Sequence, residues 1–485
     1  MSDDIGTDAG PDAVVVGSGP NGLAAAIALA QAEHRVLVLE AEETIGGGCR
    51  SAELTLPGLV HDVCSAIHAL AAASPFFRTL PLADYGLEWV EPPLALAHPF
   101  DDGSAAVLAR SIDVTAESLG EDGKAYRRLM APIVDDVEIL IPQLLAPFQF
   151  PRHPIALSRF GLLALRSTVG LARSRFEGTR APGMFAGLAS HSMLKMEQPG
   201  SAAFGLVLAL LGHVTGWPFP RGGSQRLTDA LAAHLQTLGG EIRTGVRVSA
   251  LDQVGEADAV LFDVTPRQFL AIAGDAVPRL FRRQLGRYRY GPGVFKMDWA
   301  LDGPVPWTAE ACHSAGTLHL GGTIEEIAAS ERDVAEGRHP ERPYVLIAQQ
   351  SRFDPSRVPA GKQALWGYCH VPSGSTVDMT ARIEAQIERF APGFRDLVLA
   401  RSVMGPAEME RHNANYVGGD INGGLQDLRQ IFTRPLPSRD PYATPNRRLF
   451  LCSSSTPPGG GVHGMSGYYA ARSALRRARF TGQAS

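Results

Sequence analysis

Asp12-Ala13-Val14-Val15-Val16-Gly17-Ser18-Gly19-Pro20-Asn21-Gly22, then the small-residue run Leu23 to Ala32, then Arg35-Val36-Leu37-Val38-Leu39-Glu40, is the stretch that decides the fold. It reads as strand, glycine turn, helix and second strand, the βαβ unit that binds a dinucleotide. Each glycine has its own task. Gly17 permits the tight turn, Gly19 lets backbone approach a pyrophosphate, and Gly22 lets helix pack closely on strand, so that the helix N-terminus holds the anion. Glu40, 18 positions after Gly22, ends the second strand. Its carboxylate can accept from adenosine ribose hydroxyls and would repel a 2′-phosphate, which disfavours NADP. A lone G-x-G-x-x-G arises by chance in a chain with 52 glycines; the strand before it and the helix after it make it a dinucleotide-binding turn.

Working outward, 485 residues allow one large domain or two to three ordinary ones. With 45% hydrophobic and 20% charged residues the chain is globular, and disordered, collagenous and disulfide-stapled classes are excluded. A net charge of −5 offers no general grip on phosphate backbones, so no nucleic-acid partner is expected. Cys49, Cys64, Cys312, Cys369 and Cys452 are scattered, without C-x-x-C or metal-ligand spacing, which predicts a reducing, cytoplasmic setting and no metal. The acidic start, Met1 to Asp12, lacks the basic and apolar regions of a secretory signal. The longest apolar run, Ala202 to Gly212, is about half of the roughly 20 residues that span a bilayer. Lys124, Lys195, Lys296 and Lys362 are the only lysines, which makes each worth inspection.

Three further segments carry a resemblance. Thr44-Ile45-Gly46-Gly47-Gly48-Cys49-Arg50 follows the second strand, Arg221-Gly222-Gly223 leads through a helical pattern to Glu241 to Val248 and Ala259 to Asp263, and Arg448 to Ser455 runs into Pro457-Pro458-Gly459-Gly460-Gly461-Val462-His463-Gly464. Together with the βαβ unit, and with Gly418 to Gly424, they resemble the phytoene desaturase-like FAD oxidoreductases within the wider flavin amine oxidase superfamily. Within that group the chain resembles the branch named for pyridine nucleotide-disulphide oxidoreductase domain-containing protein 2. The resemblance implies an FAD cofactor held by Gly17, Gly19, Pro20, Asn21, Gly22, Glu40, Ala41, Gly47, Gly48, Arg50, Val248, Ser454, Gly460, Gly461, Val462 and His463. Within this set Arg50 would bring positive charge, Val248 would meet adenine through its backbone, and the last glycines would admit the isoalloxazine edge. Cys452-Ser453-Ser454 replaces the usual Gly-Asp or Gly-Glu after the final strand. Cys49 and Cys64 lie 15 positions apart, so the paired cysteines of disulphide reductases are missing and thiol redox chemistry is not expected.

The expected fold is α/β: a Rossmann-like FAD-binding domain of the glutathione reductase and amine oxidase type, assembled from residues 1–70, 222–285 and 445–485. A discontinuous α+β substrate domain is expected from 71–221 and 286–444. Gly293 to Leu301 and Tyr344 to Ala348 read as sheet flooring a cavity, with apolar helices Ile155 to Leu171 and Ala202 to Leu211 as its roof. Arg159, Arg166 and Arg173 recur every seven residues and are expected on one helix face. A solvated arginine face or an oligomer contact is the plain reading of Arg152–Arg180, and peripheral membrane docking is the bolder one. Oligomeric state stays open, a homodimer included.

For catalysis the flavin supplies the redox chemistry, and the protein aligns a C–H bond and manages a proton. Lys296 resembles the flavin amine oxidase lysine that binds water beside N5, although Asp298, two positions on, could pair with it and make both structural. His463 is a candidate proton donor. His191 could face the cavity, but a lone histidine is more often a satisfied core residue. The leading expectation is hydride transfer to N5 from a hydrophobic isoprenoid, polyene or acyl substrate. A redox-neutral isomerase, an amine oxidase and a flavin-bound interaction protein remain alternatives.

Overall fold

In a computed structural model, residues 10–150 and 152–480 are described. Disorder is expected of the first dozen residues and the last few; of these, 1–9 and 481–485 lie outside that range.

Two sheets organise the chain. The first has five parallel strands in the order Leu449–Leu451, Ala259–Phe262, Ala13–Val16, Val36–Leu39, Glu241–Arg243. Its three central strands are continuous apolar runs buried at every position, as a sheet covered on both faces requires. Helix Pro20–Ala30 covers one face and packs along the C-terminal helix Met465–Arg477. The approach is close enough that a Cβ on Gly467 would lie 1.7 Å from Asn21 O. The second sheet has seven strands in the order Val398–Met404, Gly293–Leu301, Gln363–Val371, Val345–Ala348, Ala315–Leu320, Leu94–Pro99, Ala105–Leu108. All neighbours are antiparallel except Ala315–Leu320 with Leu94–Pro99.

Register in the second sheet sorts the side chains by face. Thr317, Ala348, Trp366 and Asp298 form one row across four strands, and His319, Leu346, Tyr368 and Lys296 form the next. These rows share a face because side chains two apart on a strand point the same way. The alternate residues Phe295, Met297, Trp299, Leu318, Ile347 and Cys369 pack on the opposite face against Ile383, Ile387 and Phe390 of helix Thr380–Phe390.

Two expectations about the helical region are corrected. The arginine stretch is not one helix: Pro154–Ala164 and Thr168–Arg175 are bent by 100°. Ser167 causes the break, because its side chain accepts from Gly170 N and starts a new helix. Arg159 and Arg173 therefore do not share a face. Arg159 binds Asp136 and Arg166 donates to Gly170 O at 2.7 Å. Nor does Ile155 to Leu171 roof the cavity; Ile155, Leu162 and Leu165 are exposed, and the roof comes from helix Ala202–Val214 through Leu208.

Candidate functional site

A single cavity of about 530 Å³ runs from the glycine turn of the first sheet to the inner face of the second. At its first end the turn is built as its spacing requires. Gly17 adopts φ +100°, and a Cβ on Gly22 would lie 2.1 Å from Gly17 O. A Cβ on Gly19 would lie 2.6 Å from Asp263 Oδ2, the oxygen that accepts from Gly22 N at 2.9 Å. Helix Pro20–Ala30 has no side-chain cap, and Gly19, Pro20 and Asn21 at its N-terminus line the cavity. Asn21 Oδ1 is buried without a partner among the described residues.

Glu40 is buried at the cavity wall and accepts from Ser18 N at 2.9 Å, Ser18 Oγ at 2.6 Å and Glu42 N at 3.0 Å. Arg50 donates to it at 3.2 Å and to Thr44 O at 3.1 Å. Arg50 thus lines the cavity as half of an ion pair and not as a free positive charge. Gly47, at φ +53°, brings the second glycine loop onto the first, with its Cβ position 3.1 Å from Gly19 Cα. Ala41, Gly47, Gly48 and Val248 line the same end, and the Val248 segment is held there by Val246 N donating to Glu40 O at 2.8 Å. From the C-terminal segment, Ser454, Gly461 and Val462 reach the cavity.

Gly22, Gly460 and His463 stand behind the wall. Gly460 is small because a Cβ would meet Asn422 O at 2.8 Å. The reading of His463 as a proton donor is corrected: Nδ1 accepts from Met465 N at 3.0 Å and Nε2 bonds Gly459 O at 3.2 Å. Both ring nitrogens are used in holding the start of the C-terminal helix, and burial pushes its pKa down to about 4, so it stays neutral. Lys296 is also behind the wall. It is 1% exposed and paired with Asp298, which is 0% exposed, and His61 Nδ1 stands 3.5 Å from that carboxylate. Burial pushes the Asp298 carboxyl up and His61 down to about 3. Lys296 and Asp298 thus pair with each other on one face of their strand.

The far end is apolar: Leu70, Met193, Leu208, Trp217, Leu346 and Trp366 line it, with His191, Thr317 and Tyr368 among them. Trp299 and Trp307 belong to the core on the other face of the sheet. Sequence reasoning missed the roles of Asp263 and Ser18, which lock the glycine turn from inside. Their only trace was position, Asp263 directly after an apolar strand and Ser18 between two glycines.

The donor set suits a flavin dinucleotide: a glycine cradle that side chains would fill, an uncapped helix start for the diphosphate, a carboxylate for ribose, and an apolar chamber beyond. Residues 15–80 match the NAD(P)-binding Rossmann-like domain, and residues 162–277 match the flavin containing amine oxidoreductase family. A phytoene dehydrogenase of Streptomyces griseus is 28% identical over 444 residues, covering 84% of this chain and 80% of that one. The chain is an FAD-dependent oxidoreductase, similar to the flavin amine oxidoreductases and phytoene desaturases.

This oxidoreductase is also 26% identical over 555 residues to the mouse pyridine nucleotide-disulfide oxidoreductase domain-containing protein 2, covering 96% of this chain and 93% of the mouse one. Its fold is shared with an oxidoreductase from Methanosarcina mazei at TM-score 0.64 and 16% identity, covering 96% of this chain and 99% of that one.

Proposed function

We propose that this oxidoreductase oxidises or desaturates an apolar, isoprenoid, polyene or acyl-type substrate. When bound, FAD supplies the hydride acceptor at N5. The protein's own part is to seat the dinucleotide in the glycine cradle, exclude water from the chamber beyond, and hold a C–H bond of the substrate against the flavin face. The observation that carries this reading is the composition of the chamber. Among the described residues, the carboxylates lining the cavity are Glu40, Glu42 and Asp263; Glu40 and Asp263 directly follow strands of the first sheet, and Glu42 lies two positions past Glu40. An alkylammonium ion in the apolar end would have no anionic partner, which favours carbon oxidation over amine oxidation. Anaerobic mixing of the holoenzyme with polyene, isoprenoid, acyl and amine panels tests it through bleaching of the visible flavin band. Bleaching by amines alone would sink the reading. A flavin that no compound reduces would bring forward the interaction-protein alternative.

A peripheral membrane contact is the companion proposal, moved from the arginines to the apolar residues beside them. Phe148 is 85% exposed and Phe150 93%, both shortly before helix Pro154–Ala164 in sequence, and Ile155 84% and Leu162 74% on it, with Arg152, Arg173 and Arg175 nearby in sequence. That helix packs on Ala202–Val214, whose Leu208 lines the cavity, so a docked bilayer would stand next to the substrate chamber.

A further inference from the structure

The apolar chamber contains four polar side chains that the reading above does not use: His191, Thr317, Trp366 and Tyr368. His191 lines it, and His191 Nε2 lies 3.1 Å from Nε2 of His319, which is fully buried behind it. Thr317 and Trp366, in one row of the sheet floor on either side of Ala348, also line it. Thr317 Oγ1 and Trp366 Nε1 are buried with no partner among the described residues. Burial without a partner costs roughly 1–3 kcal/mol for such a group, so occupancy of the chamber by something that bonds to them is favoured.

The protonation pattern follows from geometry. Two imidazole nitrogens 3.1 Å apart need one donor and one acceptor. His319 Nδ1 is buried and unpartnered, 2.9 Å from where a Cβ on Gly187 would stand. A buried orphan N–H is rarer than a buried orphan lone pair, which puts the His319 proton on Nε2, donating to His191. His191 then carries its own proton on Nδ1. Burial holds His191 down at about 3 and His319 well below its usual value, so neither is a cation at neutral pH. Trp366 can only donate. The chamber is thus lined by the N–H-bearing His191 and Trp366 and the hydroxyl-bearing Thr317 and Tyr368, with no charge among them.

We propose that His191, Trp366 and Thr317 form a specificity site for an uncharged acceptor oxygen, a carbonyl or hydroxyl, on an otherwise apolar substrate, with His319 as the residue that positions His191. This deepens the function proposed above and rests on it for the apolar remainder of the substrate. A pure hydrocarbon leaves the donors unsatisfied, an ammonium offers no lone pair, and a carboxylate would be buried far from Arg50 and Arg247, the lining arginines at the dinucleotide end.

Calorimetric titration of the holoenzyme with 2-octanone, 1-octene, octylammonium and octanoate tests the site without turnover. The expected result is 2-octanone binding about fivefold to tenfold tighter than 1-octene, the worth of one neutral hydrogen bond. Trp366→Phe, which keeps the ring and removes the N–H, and His191→Phe should each shrink that preference, and His191→Asn should restore part of it. Equal binding of ketone and alkene, a preference unmoved by both variants, tightest binding of either ion, or no binding of any probe would each overturn the proposal. The oxidoreductase reading fails separately, if no compound in the broader panel reduces the flavin.

Discussion

Replacing Lys296 with Met should damage folding far more than chemistry. Lys296 and Asp298 are 1% and 0% exposed and bonded to each other. Removing the ammonium leaves a carboxylate buried without its partner, a change that costs about 3–5 kcal/mol. His61, 3.5 Å away and held down to about 3 by burial, does not replace the lost charge at neutral pH. Urea unfolding followed by circular dichroism should show that loss for Lys296→Met, and Lys296→Met combined with Asp298→Leu should recover most of it, because no charge is then stranded. The pH dependence gives a second arm. The Asp298 carboxyl is raised by burial even with Lys296 present, and rises further without it. A carboxyl higher in the folded than in the unfolded state binds protons preferentially when folded, so it adds stability as pH falls through the window between the two values. The penalty of Lys296→Met should therefore be largest above pH 7 and shrink toward pH 5. A variant as stable as its parent, whose reduced flavin nonetheless reacts with oxygen far more slowly, would refute the reasoning and return Lys296 to the flavin.

Three other outcomes are expected. Gly22→Ala places a Cβ 2.1 Å from Gly17 O, so it should purify with little or no FAD while remaining folded by circular dichroism, which spectra of the as-purified protein would check. His61, His68, His98, His191, His412 and His463 are pressed by burial to about 3 or 4. The unfolded chain takes up their protons near pH 6.5 and the folded chain does not, so the urea midpoint should fall steadily from about pH 6.5 toward pH 4; a flat profile would contradict their burial. In flotation with anionic vesicles, the parent should rise and Phe150→Asp combined with Ile155→Asp should stay at the bottom; equal flotation would remove the membrane contact.

The first sheet was legible because its determinants are local. Ala13–Val16, the glycine turn, the helix to Ala30 and Val36–Leu39 lie within a single run, and Gly22 is required by a clash with Gly17 inside it, whereas the clash at Gly19 comes from the distant Asp263. The arginine heptad misled because periodicity was read through Ser167, a residue whose side chain ends one helix and begins another. Lys296 was legible as a choice between two roles, since Asp298 on the same strand face was visible. What decided the choice, the burial of the pair beside His61, depends on strands far apart in sequence. The row of Thr317, Ala348 and Trp366 was illegible for the same reason: register between three antiparallel strands is a property of the assembled sheet. Arg50 lines the cavity and His463 stands behind its wall, and their partners Glu40, Gly459 and Met465 use the groups that made them look available.

The central claim is that the glycine cradle, Glu40 and the C-terminal loop together hold FAD, and the most direct measurement is the flavin content of the purified chain after heat release. The expected result is a yellow protein carrying about one FAD per chain, or a colourless one that takes up FAD to that level on reconstitution. A folded chain that neither carries nor takes up FAD would contradict it.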